Sequence, residues 1–374
     1  MAVTGIVAEF NPFHKGHKYL LDQASGLKIV VMSGNWLQRG EPAIIDKWSR
    51  ASMAVLNGAD LVVELPVLAS VQSADIFAEE SIHILAKLGI DNLVFGSESL
   101  VDYNEILRIY RAKHDEMEDF LASLDNNLSY PEKTQVMWEK FTGLTFTGDS
   151  PNHILALAYL KAISKEGSDI KLNSIQRQGQ GFHSEKLEES QFASASAIRK
   201  NINSQEVWDF IPKNTHDILS KARKTRFDDY FMLLKYKILS DDLNDIFQLN
   251  EEIKIRLKRE IKKAYDISDL VERVHTKRYT KSRIKRILVY ILLNIKDEEF
   301  QDFQVRLDKP KVHLLAFSKK GQEYLGQIKG DVDLISRIGR QPWDKVSQRA
   351  DEIYQLAAVD VEEQTFGRKP YIYK

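Results

Sequence analysis

Two histidines three positions apart, His14-Lys15-Gly16-His17, form the densest chemical signal in this chain. Imidazoles donate hydrogen bonds, and such donors stabilise phosphoryl oxygens that gain charge in a transition state. The pair follows an apolar run of strand type, Gly5-Ile6-Val7-Ala8-Glu9-Phe10, and a turn at Asn11-Pro12-Phe13. It opens a helix expected over Lys15–Gln23. A strand-turn-helix corner aims backbone N–H groups and the positive end of a helix at one spot, which suits a phosphate. Gly16 has no side chain, so a ligand can approach the backbone closely there. The spacing alone also fits a partial metal site or two solvated side chains. The chain has no cysteine, and no third ligand follows at His-Glu-x-x-His spacing, so zinc is the weaker reading. No residue is assigned as a metal ligand.

Other residues could complete a phosphate site. Ser194-Ala195-Ser196-Ala197-Ile198-Arg199 opens a second helix, where the Ser196 hydroxyl and the Arg199 guanidinium suit an anion. Arg177 and Gln178 begin a polar, glycine-punctuated loop that runs to Ser184. Arg177 fits a phosphate contact or a surface ion pair. Asn152, after Ser150-Pro151, fits a nucleotide contact or a plain helix start. Gly96 ends an apolar run where a ligand edge is expected, or makes a simple turn. Asp46-Lys47-x-x-Arg50 mixes charge signs at a helix start, and a solvated face is the default expectation.

The elements that must position these residues alternate. Apolar runs at Gly5–Phe10, Lys28–Ser33, Asp60–Leu65, Asn92–Ser97 and Ile170–Ile175 are separated by helical stretches, among them Lys47–Leu56 and Ala74–Leu88. The first four are near-continuous rather than alternating, as a parallel sheet covered on both faces requires. The expected fold is α/β: a doubly wound, mostly parallel domain over residues 1–204, with ligands at the carboxyl ends of its strands. Tyr103–Leu128 reads as a helical insertion. Beyond Ser204 glycine becomes rare and apolar residues recur at helical spacing, so 205–374 is expected to be a mainly helical second domain. Within it Val312–Phe317 reads as a strand and Lys319-Lys320-Gly321 as a turn.

Composition narrows the class. The 374 residues, 43% hydrophobic and 29% charged, describe an ordinary globular protein. The absence of cysteine excludes disulfides and thiolate chemistry and fits a cytoplasmic setting. The opening residues lack a signal peptide's basic start and cleavage site, and no apolar run reaches the roughly 18 residues of a membrane span. Nothing in the pattern sets an oligomeric state. The net charge of −1 is neutral overall, yet basic residues cluster twice in the second half. One cluster is Lys221, Arg223, Lys224 and Arg226. The other is Lys277, Arg278, Lys281, Arg283, Lys285 and Arg286, with His275 and Tyr279 interleaved. Such clusters are solvated helix faces or footprints for a nucleic-acid backbone.

His-x-Gly-His at the end of a first strand resembles the signature of the nucleotidyltransferase superfamily, which includes the class I aminoacyl-tRNA synthetases. Across most of its length the chain is similar to the bacterial tRNA(Met) cytidine acetate ligase family. The resemblance rests on Ala8–His17, Lys47-Trp48-x-Arg50, Gly58–Pro66, Ser150-Pro151-Asn152, Ala193–Arg199 and Lys277–Ile284. The family often has Tyr at Phe10 and Asn at Lys15; neither change removes a group the chemistry needs. The resemblance implies an ATP-dependent ligase that activates acetate as acetyl-adenylate. It then acetylates the wobble cytidine of elongator tRNA(Met). ATP would lie along Ile6, Val7, Ala8, Glu9, Phe10, Asn11, Pro12, Phe13, His14, Lys15, Gly16 and His17, with Gly96, Asn152, Arg177, Gln178, Ser196 and Arg199. His14, His17 and Arg199 would act in catalysis, and magnesium is expected with ATP. Lys277, Arg278, Arg283 and Arg286 would contact the tRNA. Two other readings stay open: an adenylyltransferase acting on a small cofactor precursor, and a non-catalytic RNA-binding protein.

Overall fold

The computed structural model describes residues 2–98, 100–125, 128, 130–144, 151–177, 192–276, 278–304, 310–328, 330, 332–339 and 343–374. Its strands are β1 (Val3–Ala8), β2 (Leu27–Ser33), β3 (Trp36–Leu37), β4 (Glu41–Pro42), β5 (Leu61–Leu65), β6 (Asn92–Ser97), β7 (Lys171–Gln176), β8 (Lys311–Ser318), β9 (Asp333–Ile335) and β10 (Tyr371–Tyr373). The central sheet runs β10-β8-β5-β2-β1-β6-β7, with β9 beside β8. From β5 to β7 every pairing is parallel, and β8 joins antiparallel to β5. The chain is therefore an α/β protein with a mostly parallel sheet, as its apolar runs require. Strand order reverses between β1 and β6, and that switch point is where such sheets open a crevice for ligands.

Apolar side chains fill both faces. One layer joins Ile29, Val31, Leu61 and Val63 to the helices Ala74–Lys87 and Pro151–Glu166. The other joins Ile6, Val30, Met32 and Val62 to the helix Lys47–Leu56. A third core holds together the helices Phe231–Ser240, Glu251–Glu260, Ile267–Val274 and Lys281–Leu293. It includes Trp36, Val67, Leu68 and Val71, so the helical body grows directly onto the sheet domain. Gly40, at the tip of the β3–β4 hairpin, has φ +76°, and a Cβ there would lie 2.3 Å from the backbone nitrogen of Arg286.

Several expectations change. After residue 205 the chain is mainly helical and the strand read over Val312–Phe317 is present as β8, but β8 and β10 join the central sheet instead of staying within the helical part. Lys319–Gln327 is a helix rather than a turn, because Ser318 caps it by accepting from the Gly321 N–H. Tyr103–Leu128 breaks into two helices at Lys113, Tyr103–Ala112 and His114–Ser123.

The Asp46–Arg50 turn is not a solvated face. Asp46 caps the helix at its surface, but Lys47 and Arg50 are fully buried. The Lys47 ammonium donates to both oxygens of Glu64 at 2.7 and 2.8 Å and to Asp351 Oδ2 at 2.5 Å. His313 Nδ1, on β8, lies 2.6 Å from Glu64 Oε2, and Asn35 donates to Asp351 Oδ1 at 2.8 Å. Lys47 and His313 hold Glu64 well below the usual carboxylate range, whereas burial and the Glu64 charge push Asp351 up to about 7. Two carboxylates share one ammonium here, and Glu64 is the better served. The cluster joins the helix after β4, the end of β5, β8 and the helix Lys345–Gln355.

Removing one partner strands the others in a medium that solvates them poorly. Asp351→Ala is expected to lower stability by about 3–5 kcal/mol in urea unfolding at neutral pH. A loss below about 1 kcal/mol would show that the cluster adds little.

Candidate active site at the carboxyl end of β1

The corner after β1 is fixed from below by Arg50. Its Nη1 donates to the carbonyls of Glu9 at 2.6 Å and Ser33 at 3.0 Å, its Nη2 to Gly34, and its Nε to Ile45 at 3.1 Å. One guanidinium thereby gathers the carbonyls that close β1 and β2, groups that would otherwise end unpaired in the interior. Phe10 adopts a left-handed φ of +49°, and the Asn11 side chain accepts from the Ile44 N–H at 2.7 Å. The chain then turns into the helix Lys15–Gln23.

His14 caps that helix. Its Nδ1 accepts from the Gly16 N–H at 3.0 Å, and the His14 N–H donates to His17 Nδ1 at 3.3 Å. The two rings stack with centroids 3.7 Å apart, and Phe10 and Phe13 pack against His17. Because each Nδ1 accepts, each neutral ring carries its hydrogen on Nε2. Neither Nε2 has a protein partner among the described residues, so the helix mouth holds two unused donors.

Electrostatics keep both rings neutral. Burial first, then the charges of Arg177 and Arg199, bring His14 down to about 3. Burial, His14 and the same arginines also hold His17 well below the ordinary range. Arg199 is anchored to the Asn11 carbonyl at 2.9 Å and lies 3.3 Å from Ser196 Oγ. The positive potential that depresses the imidazoles is the potential an anion would seek.

Across the switch point, Asn152 begins the helix Pro151–Glu166, and its N–H and amide meet Glu98 Oε1 at 3.1 and 2.7 Å. Arg177 follows β7, and its N–H donates to the Ser97 carbonyl at 2.9 Å. The structure thus brings the β1 corner, Ser196, Arg199, Gly96, Asn152 and Arg177 around one strand edge. Gln178 lies outside the described residues, as does the rest of its loop to Ser184.

Two glycines have close side-chain neighbours. A Cβ on Gly16 would lie 2.9 Å from the His14 ring, so a side chain there would displace that imidazole. A Cβ on Gly96 would meet the Arg177 stem at 3.3 Å. Sequence reasoning also missed Glu98, which organises Asn152; an acidic residue straight after the small residues closing β6 was its only signal.

The basic clusters differ. Lys221 pairs with Asp217 at 2.8 Å, Arg223 with Asp360 at 3.8 Å, and the Lys224 ammonium caps carbonyls of the helix His216–Lys221 and of the residue after it. In the second cluster Lys281 pairs with Glu272, Lys285 with Glu41 at 3.5 Å, and Arg278 approaches Glu252 at 3.9 Å. Arg283 and Arg286 have no carboxylate partner among the described residues, and the Nε of each is buried without an acceptor. Tyr279 is buried: its hydroxyl donates to Glu252 at 3.0 Å, and Arg283 lies over its ring at 5.1 Å. It is packed and unavailable for base stacking. Lys277 lies outside the described residues.

The model of the HIGH nucleotidyl transferase family matches residues 1–369. A protein of Streptococcus pneumoniae (serotype 2, strain D39) called tRNA(Met) cytidine acetate ligase is 52% identical over 372 residues, 99% of this chain and 98% of its own length. A Streptococcus suis protein of the same name is 53% identical, with 99% of each chain covered. The crystal structure of apo Thermotoga maritima TmcAL superimposes with a TM-score of 0.88 at 26% identity, covering 100% of this chain and 99% of that one. The same protein bound with alpha-thio ATP gives 0.86 at 27% identity, with the same coverage.

The neutral histidines couple stability to pH. An unfolded imidazole binds its proton near 6.5, and folded His14 does so only near 3. Between those values the unfolded state binds more protons, so the His14 contribution is present above pH 6.5 and is lost as pH falls toward 3. Imidazole NMR of the ligand-free chain should show His14 neutral, protonated on Nε2, throughout that window. A His14 titration near 6.5 would contradict this environment.

Proposed function

The chain belongs to the HIGH nucleotidyl transferase family and, within it, to the tRNA(Met) cytidine acetate ligases, and we propose that it joins acetate to tRNA at the expense of ATP. The observation that carries this is the pair of neutral imidazoles at the β1 corner, each with its Nε2–H unused, beside Arg177 and Arg199. Acetate attacks the α-phosphorus of ATP, and pyrophosphate leaves. The exocyclic amine of the wobble cytidine of elongator tRNA(Met) then attacks the acetyl carbon, giving N4-acetylcytidine and AMP.

The roles follow from charge and position. His14 and His17 donate through Nε2 to phosphate oxygens as charge builds on them. Neutral donors suit this task because they neither repel the arginines nor give up a proton. Arg199, with Ser196, and Arg177 neutralise phosphate charge. Asn152, beside Gly96, orients the nucleoside end, and Gln178 joins that set. Magnesium accompanies ATP and supplies further charge neutralisation on the phosphates. Among the described residues no group of three or more His, Asp or Glu side chains could cage it.

Residues 1–204 carry the ATP chemistry in this reading, while the helical part of 205–374 holds the RNA. Arg283 and Arg286 support that division: two guanidiniums without carboxylates are ready to neutralise backbone phosphates. No helix among the described residues is long and apolar enough to cross a membrane. A cysteine-free, tRNA-modifying chain fits the cytoplasm.

His14→Ala and His17→Ala are each expected to slow acetyl-adenylate formation by about 3–4 kcal/mol of transition-state stabilisation. Cooperative unfolding should remain. Near-parental rates in both folded variants would remove the corner from the mechanism.

The quadruple change of Lys277, Arg278, Arg283 and Arg286 to Ala should leave ATP activation by acetate nearly intact. It should sharply reduce N4-acetylcytidine formation and lower the salt dependence of tRNA binding by about one unit of slope per lost contact. Parental acetylation of tRNA by that variant would place the RNA elsewhere.

A further inference from the structure

Acyl transfer to an exocyclic amine releases a proton, and the two histidines are poorly placed to accept it. Each Nδ1 lone pair is already engaged by a backbone N–H, and each Nε2 carries a hydrogen. Arg177, Arg199 and Lys15 are cations. Among the described residues, two carboxylates directly follow the strands at this edge, and one of them, Glu98, takes both Asn152 donors on Oε1 and buries Oε2 away from solvent. Glu9 is the other.

We propose that Glu9 is the base that takes the proton from the attacking amine, an inference that rests on the acetyl-transfer reading above. Glu9 directly follows β1 and is fixed at two points. Its carbonyl accepts from Arg50 at 2.6 Å, and its Oε1 accepts from the Gln38 N–H at 2.8 Å. Its Oε2 has no partner among the described residues, and the side chain is half-buried rather than sealed. One oxygen is positioned and the other is free.

The charges around it come from several elements. Arg50 lies below, Arg199 faces it from the helix Ala195–Lys200, and Glu41 faces it from the hairpin, where it pairs with Lys285. Tyr159 on the helix Pro151–Glu166 also feels its charge. Burial outweighs the Gln38 N–H and the two arginines, so the carboxyl is held above its ordinary range. A carboxylate shifted upward is a stronger base once ionised.

The location also fits a large amine substrate. Gln38 belongs to the β3–β4 hairpin, and the hairpin tip at Gly40 presses on the backbone of Arg286. The support of Glu9 therefore touches the same helix that carries Arg283 and Arg286, which have no carboxylate partner among the described residues.

The step balances without another reactant. The amine nitrogen bonds to the acetyl carbon, and the bond from that carbon to the AMP phosphate oxygen breaks. AMP leaves as its anion. The proton lost by nitrogen passes to Glu9 and from there to water.

Glu9→Gln tests this, because the amide keeps the size of the side chain and an oxygen for the Gln38 N–H. Acetate-dependent exchange of pyrophosphate into ATP and single-turnover transfer from preformed acetyl-adenylate to tRNA are measured on both proteins across pH. Transfer should fall at least about 100-fold further than exchange. Parental transfer should decline as pH falls through the raised Glu9 value, and the variant should lose that decline. Equal losses in the two steps, or transfer that survives with its pH profile unchanged, would overturn the proposal. Absence of acetate-dependent exchange in the parent would overturn the acetyl-transfer reading beneath it.

Discussion

Two cations on one helical turn, Lys47 and Arg50, are buried with no access to water, and the rest of the structure is arranged to make that tolerable. A buried charge is costly unless every donor is met. Arg50 meets this demand mainly with backbone: the carbonyls of Glu9, Ser33, Gly34 and Ile45. Those carbonyls close β1 and β2, so the same contacts set the strand edge on which the histidine corner stands. Lys47 meets it with Glu64 and Asp351, residues far apart in the chain, and so locks the last helix against the sheet. The site is precise because its floor is a set of groups that cannot move without stranding a charge.

Above that floor the charges are arranged differently. Arg177 and Arg199 supply positive potential, while burial and those arginines keep His14 and His17 uncharged. The pocket therefore offers two fixed cations and two neutral donors. That combination favours polyanions and leaves the histidines without spare lone pairs, which directs any proton transfer to a carboxylate. Glu9 shares its anchors with both regions: Arg50 holds its backbone and the hairpin holds its side chain. In the proposed reading, binding, activation and transfer converge on one strand end, and the helix proposed to face RNA is one hairpin away.

Much of this was legible in the sequence because the signals are local. The apolar runs of β1, β2, β5 and β6 announce buried parallel strands, and His-x-Gly-His after the first of them marks a corner. Helix limits such as Lys15–Gln23 and Lys47–Leu56 follow from their flanking residues. What the sequence concealed is set by partners distant along the chain. Nothing near Lys47 indicates Asp351, so a buried cation reads like a surface one. Tyr279 sits among arginines as an RNA-stacking residue would, yet Glu252 and Asn250 hold its hydroxyl inside a core. Gly16 reads as room for a ligand, and the sequence does not show that it also makes room for the ring two residues earlier. The return of β8 and β10 to the sheet was hidden for the same reason. The strand at Val312–Phe317 was readable, but its pairing with β5 was not.

The central claim is that the β1 corner activates a carboxylate with ATP before any RNA is needed. The most direct measurement is the exchange of labelled pyrophosphate into ATP by the intact chain, with and without acetate, in the absence of tRNA. The account predicts exchange that requires acetate, saturates with it and proceeds without RNA. Exchange that ignores acetate and appears only with a nucleotide-like or phosphorylated acceptor, or no exchange at all, would contradict it.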